Sequence, residues 1–133
     1  MEDPTEFVRA SMPLCDTLGV RAEAVAADEV VLALDWAGEL CTAGGVMHGG
    51  ALMALADSAG AVCAYLNLPQ GATGTATIES KTNFLRGVRE GVVTAVARPL
   101  HVGSGTVVVE TELRNAGHLV AKCTQTQAVL GGR

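Results

Sequence analysis

The 133 residues predict an α+β domain in which an antiparallel β-sheet wraps around one long central helix. Three observations carry that expectation. Two short apolar strands come first, one helix-length apolar segment follows, and a Val- and Thr-rich run divided by turn signals fills the rest of the chain. No repeat, linker or low-complexity segment interrupts this order, and the length suits one core, so residues 1–133 are expected to form a single domain.

After an acidic leader, Thr5 to Ser11 reads as a short amphipathic helix capped by Thr5 and ended by Pro13. Gly19 to Ala26 and Glu29 to Asp35 read as two strands of a hairpin joined at Ala27-Asp28. A loop rich in small residues follows, including Gly38, Thr42, Ala43, Gly44 and Gly45. From Gly49 to about Leu66 the chain is apolar nearly all round, the mark of a helix buried on most sides, and Asp57 is its only charged residue. The stretch is too short, too rich in Ala and Gly and too burdened by a central carboxylate to read as a membrane span. Thr73 to Leu130 then divides into four strands, read as a β-meander, at Gly87-Val88-Arg89-Glu90-Gly91, Gly103-Ser104-Gly105 and Asn115-Ala116-Gly117.

Composition narrows the function. A hydrophobic content of 49% with only 3% aromatic residues means a core of Ala, Val and Leu, and the positive mean hydropathy points to apolar surface covered by further subunits. Nine basic against 14 acidic residues, with no basic run, argue against nucleic acid as a partner. The start, Met1-Glu2-Asp3-Pro4-Thr5-Glu6-Phe7, has neither the positive nor the apolar region of a secretory signal, so a cytoplasmic protein is expected. Cys15, Cys41, Cys63 and Cys123 form no C-x-x-C pair and have no histidines at metal-site spacing. Buried free thiols are expected, with no metal and no cofactor.

The strongest chemical signal is Gly45-Val46-Met47-His48-Gly49-Gly50 running into the apolar helix. Glycine permits close backbone approach, and the first N–H groups of a helix have no partner within it, so an oxyanion hole is available at Gly49. The second signal is Asp57. A lone carboxylate in an apolar helix is costly to bury, and positions 53, 54, 60 and 61 hold no Lys or Arg to pair with it. Eight residues separate Gly49 from Asp57, about 12 Å along a helix axis. One chain cannot bring both groups to one carbonyl, so a shared site requires two antiparallel copies of the helix across a dimer interface. The segment Ala56-Asp57-Ser58-Ala59-Gly60 approaches the G-x-S-x-G pattern, but a nucleophile elbow needs a strand before the serine, and here the segment lies inside a helix.

Gly45-Val46-Met47-His48-Gly49-Gly50-Ala51-Leu52 with Ala56-Asp57-Ser58 resembles the signature of the PaaI-like hotdog-fold acyl-CoA thioesterases, within the 4-hydroxybenzoyl-CoA thioesterase group. Asn83-Phe84-Leu85-Arg86 and Arg114-Asn115-Ala116-Gly117-His118-Leu119-Val120-Ala121 are softer points of similarity. The resemblance implies a hotdog fold, hydrolysis of an acyl-CoA such as an aromatic acyl thioester, and a homodimer or homotetramer. It implies that Asp57 attacks the thioester or activates water, that the Gly49 N–H binds the carbonyl oxygen, and that His48 shapes the loop. Thr77 would steady the nucleophile or the water. Thr42 stands where the family often has Asn, Gly87 replaces a common Pro, and Ser104-Gly105 replace frequent basic residues. Gly50, Arg86, Arg89 and Arg98 are the candidates to meet substrate and CoA phosphates. A hydratase or dehydratase and a non-catalytic acyl-CoA binder are the alternatives that the fold also allows.

Overall fold

A computed structural model describes residues 3–131. Helix α1 spans Pro4–Ser11 and is capped by Asp3, whose Oδ1 accepts the Thr5 N–H at 2.8 Å. Thr5 is therefore not the cap. Its hydroxyl instead bonds the backbone of Ala22, accepting the Ala22 N–H at 3.0 Å and tying α1 to the first strand. Pro13 does more than end α1, because it opens a second helix, α2 (Pro13–Leu18), at the position where its missing N–H costs nothing. Gly19 closes α2 in the left-handed region at φ +82°, so the first strand starts later than its apolar run does.

Strands β1 (Arg21–Val25) and β2 (Val30–Asp35) form the expected hairpin around Ala27-Asp28. Helix α3 occupies Gly49–Leu66, and after it come β3 (Ala72–Phe84), β4 (Val92–Val102), β5 (Thr106–Asn115) and β6 (His118–Gly131). The six strands form one antiparallel sheet in the order β1-β2-β4-β5-β6-β3. The four-strand meander is thus corrected: β4, β5 and β6 form one, whereas β3 pairs with β6 at the far edge. Strand spacing along the chain cannot reveal this, because residues 85–91 carry the chain past two strands instead of turning it back. The β5–β6 turn needs its glycine, since Ala116 (φ +51°) and Gly117 (φ +80°) both lie in the left-handed region that the twist of a tight hairpin demands.

The sheet curls around α3. Leu52, Leu55, Ala56, Ala59, Val62 and Cys63 recur at helical spacing and pack on Val30, Leu32, Leu34, Val93, Ala95, Val107, Val109 and Leu113. Burying one such Leu contributes about 1.5–3 kcal/mol. In this single chain the helix is not buried on most sides. Met53 and Tyr65 are exposed and Ala54, Asp57 and Ala61 only half-buried, so one face looks away from the sheet. The helix has the length and apolar composition of a membrane span, yet half of it is buried inside the fold.

Candidate active site

The loop before α3 is fastened from several directions. The His48 N–H donates to Leu40 O and the Met47 N–H to Val88 O, both at 2.8 Å, which hold the loop between the Gly38–Leu40 turn and the 85–91 segment. Gly44 and Gly45 take φ of +81° and +75°. Their carbonyls accept from Arg89 Nη1 at 3.2 Å and from the Trp36 indole N–H at 3.1 Å. Arg89 thus serves the shape of the loop.

His48 is the N-cap of α3, and its Nδ1 accepts the Gly50 N–H at 2.7 Å. The accepting nitrogen carries no proton. The Ala51 and Leu52 N–H groups donate to the His48 carbonyl. Of the helix's first N–H groups, that of Gly49 alone has no acceptor among the described residues. Gly49 lines a cleft of about 400 Å³ together with Thr42, Leu52, Phe84, Leu85 and Arg86. The Phe84 ring lies close, so that a Cβ on Gly49 would sit 3.2 Å from it and this half-exposed ring would have to yield by a few tenths of an ångström. Gly50 lines a second cleft of about 330 Å³ on the other side of the helix start, with His48, Ala51 and Ala54.

Asp57 lies two turns further on, in neither cleft, half-buried on the flank of α3 that meets the edge strand β3. Its Oδ1 accepts the Thr77 hydroxyl at 3.0 Å. Thr77 in turn accepts from Gln127 Nε2 at 2.6 Å, and the same amide nitrogen donates to Gln125 Oε1. Gln125 Nε2 ends the chain on Ala56 O at 3.2 Å. Both glutamines are about 1% exposed. They are the residues of this network that the sequence reading did not single out. In the sequence they are two polar residues spaced two apart on β6, hence on one face, and the structure shows that face to be the inward one, where a buried amide must find partners.

Thr77 shares the face of Gln127, although it is itself exposed at the sheet edge, because β3 carries a bulge. Thr77 pairs with Gln127 and Glu79 pairs with Thr126, so Ile78 is an extra residue and projects into solvent, 63% exposed. Ser58 is held inside the helix, its hydroxyl donating to Ala54 O at 2.7 Å, and is no nucleophile elbow.

The structure therefore brings Gly49, Thr42 and Arg86 to one cleft, places His48 and Gly50 beside it, and unites Asp57 with Thr77 elsewhere on the helix. Among the described residues Arg86 has no carboxylate partner. Arg98 is not drawn to this region. It pairs with Glu29 at 2.7 Å, beside the β1–β2 turn where Asn67 bonds Ala27 O at the far end of α3. Three of the cysteines, Cys15, Cys63 and Cys123, are buried, whereas Cys41 is half-buried. Burial pushes the Cys63 thiol up to about 11 and raises Cys15 as well.

Residues 44–122 match the family model described as the thioesterase superfamily. The chain belongs to the thioesterase superfamily. Its enzymes share this sheet-around-helix architecture, and the matched span runs from the Gly44 loop through Asp57 and Thr77 to β6. A Pseudomonas aeruginosa thioesterase, solved as a point mutant, superposes with a TM-score of 0.89 at 31% identity, covering 99% of this chain and 97% of that one. A Haemophilus influenzae thioesterase gives a TM-score of 0.88 at 25% identity, with 98% of this chain and 93% of that chain covered. The 1,4-dihydroxy-2-naphthoyl-CoA hydrolase of Escherichia coli is 38% identical over 87 residues, 65% of this chain and 63% of that enzyme. This thioesterase thus has relatives named for hydrolysis, one of them for a CoA thioester.

Proposed function

We propose that this thioesterase hydrolyses an acyl-CoA to the free acid and CoA, with Asp57 as nucleophile or general base and the Gly49 N–H of an opposing subunit as oxyanion donor. The observation that carries the reading is the division of labour along α3. The unpaired Gly49 N–H stands at the helix start, and the Asp57 carboxylate, held at one oxygen by Thr77, stands about 12 Å further along. Each is half of a site, and a second helix running antiparallel would bring the halves together. The unpaired edge of β3 and the open face of α3 support such a pairing into a dimer or a tetramer.

Two routes satisfy the chemistry. Asp57 can attack the thioester carbonyl, expel CoA as the thiolate and form an anhydride that water opens. Alternatively it takes a proton from water, which attacks the carbonyl while the C–S bond breaks and the thiolate is protonated. In either route negative charge grows on the carbonyl oxygen, which the Gly49 N–H of the opposing subunit would stabilise. Thr42 would line the approach to that oxygen, and His48 would keep the Gly50 N–H occupied so that Gly49 is the donor. Gly50 and Arg86 would lie along the CoA moiety, with Arg86 and Arg89 nearest to its phosphates. No metal enters the scheme, so EDTA should leave turnover unchanged. An aromatic acyl group is the favoured substrate class, a reading supported by the naphthoyl-CoA relative, and a cytoplasmic location fits such a substrate.

The test is a panel of benzoyl-, phenylacetyl- and straight-chain acyl-CoAs followed by thiol release, with two variants. Asp57→Asn keeps the size of the side chain and removes the charge, and turnover should collapse while the fold persists. Gly49→Pro deletes one N–H at the first position of a helix, where proline is tolerated, after a His48 whose ψ of 135° suits a residue preceding proline, and Gly49→Ala, which adds the same Cβ beside the half-exposed Phe84 ring but keeps the N–H, is its control. It should cost on the order of 10²–10³ in kcat. Folded Asp57→Asn protein turning over within a few-fold of wild type would eliminate Asp57 as the catalytic group. Single-turnover hydrolysis in ¹⁸O-water then separates the routes, since label in the Asp57 carboxylate marks an anhydride and label only in the product acid marks direct attack by water.

A further inference from the structure

We propose that Gln127 is a positioning residue for the reaction: its amide, itself oriented by Gln125, dictates the direction of the Thr77 hydroxyl and through it the setting of the Asp57 carboxylate. The inference rests on the reading of Asp57 as the catalytic carboxylate.

The polarity of the network has one starting point. A backbone carbonyl can only accept, so the bond to Ala56 O requires Gln125 to turn its NH₂ toward the helix and its Oε1 toward Gln127. An acceptor facing Gln127 requires that residue to present its own NH₂, which it does, donating to Gln125 Oε1 and to Thr77 Oγ1. A hydroxyl has one hydrogen. With a donor already at its oxygen, Thr77 spends that hydrogen on Asp57 Oδ1, 3.0 Å away. The network thus leaves the helix at Ala56 and returns to it at Asp57, with no ambiguous orientation in between. Without Gln127 the Thr77 hydroxyl is free to rotate away, and Asp57 loses the contact that fixes its plane and leaves Oδ2 for the reacting atoms. Both glutamines are about 1% exposed, so their amides are shielded from water and keep one orientation, whereas Thr77 is exposed and has its fixed donor only in Gln127.

A residue acting this way has a kinetic signature that a merely structural one lacks. Gln127→Met should lower kcat about tenfold, the equivalent of one lost hydrogen bond of roughly 1.4 kcal/mol, and leave KM within twofold, because Gln127 does not touch substrate. Thr77→Ala should do the same or more, and Thr77→Ser should restore most of the rate. Decisively, Gln127→Met added to Thr77→Ala should cost no further kcat, because the hydroxyl it orients is gone. Gln127→Met leaves Gln125 Oε1 without a donor, so Gln125→Met/Gln127→Met is made in parallel. Replacing both amides by apolar groups of similar length spares the fold that penalty, and the same kcat loss is expected.

All variants are assayed with the acyl-CoA of the panel that turns over fastest. Wild-type kcat in both glutamine variants, or multiplicative losses in the Thr77→Ala background, would overturn the proposal while leaving Asp57 in place. Turnover that survives Asp57→Asn would overturn this inference together with the reading beneath it.

Discussion

Adding one methyl group at Gly60 should destabilise this protein, although the same change in an exposed helix stabilises by about 1 kcal/mol. A Cβ built on Gly60 falls 2.1 Å from Gln125 Nε2 and 2.5 Å from its Cδ, so the amide must leave its place. Two buried hydrogen bonds go with it, one to Ala56 O and one from Gln127. At about 1 kcal/mol each, plus roughly 1–3 kcal/mol for overpacking and less the propensity gain, Gly60→Ala should lose about 2–4 kcal/mol. For a chain of this size about 3–4 °C of Tm follows each kcal/mol, so Tm should fall by roughly 7–14 °C. Thermal and urea unfolding at fixed protein concentration measure this directly. Gly38→Ala, where nothing lies within 4 Å of the added methyl, is the matched control and should stay within about 0.5 kcal/mol of wild type. A Gly60→Ala protein as stable as wild type would refute the account of how Gln125 is seated.

Four further outcomes are expected. Arg86→Ala should raise KM several-fold for acyl-CoA with little change in kcat, and the same variant should be neutral toward an acyl-pantetheine that lacks the nucleotide phosphates; equal effects on both substrates would remove Arg86 from phosphate recognition. Co-assembled Asp57→Ala and Gly49→Pro subunits should regain activity absent from either alone, because a mixed dimer holds one site with both groups intact; failure to complement counts against a shared site. Native protein at pH 8 should react with a maleimide at Cys41 before Cys15 or Cys63, since burial disfavours both thiolates. The folded-state pKa of Cys63 lies above its unfolded value, so its contribution to stability is complete below about pH 9 and is lost as pH rises toward 11, a decline that Cys63→Ala should lessen.

The sequence was most legible where local rules and tertiary packing agree. The α3 bounds coincide with the apolar run because Gly49-Gly50 and Asn67 terminate it at the points where the pattern does. The β1–β2 turn and the β5–β6 turn follow from Ala27-Asp28 and Asn115-Ala116-Gly117 by turn chemistry alone. Pro13 misled, since proline marks a helix start as readily as a stop. The partner of β3 was illegible for a deeper reason: pairing across the sheet is decided by what the whole chain buries, and an isolated Thr-rich strand offers no preference between β4 and β6. Asp57 stood out because no cation could meet it along the helix. Its actual companion is a neutral threonine, and the amides behind Thr77 were hidden because polar residues on a strand read as solvent-facing until the opposite face is known.

The bulge at Ile78 carries a consequence for how distant relatives are compared. Counting back from Phe84, each residue of β3 meets its expected partner on β6 until Ile78, where the count slips by one. A strand lacking the extra residue would deliver a hydroxyl to the same place in space from a position one step nearer Phe84. The group that meets the carboxylate is therefore defined by its location in the sheet and not by its interval along the sequence. An alignment that refuses a gap at this point will set Thr77 of this chain against a residue pointing to the opposite side of another, and a hydroxyl scored as missing will be standing next door.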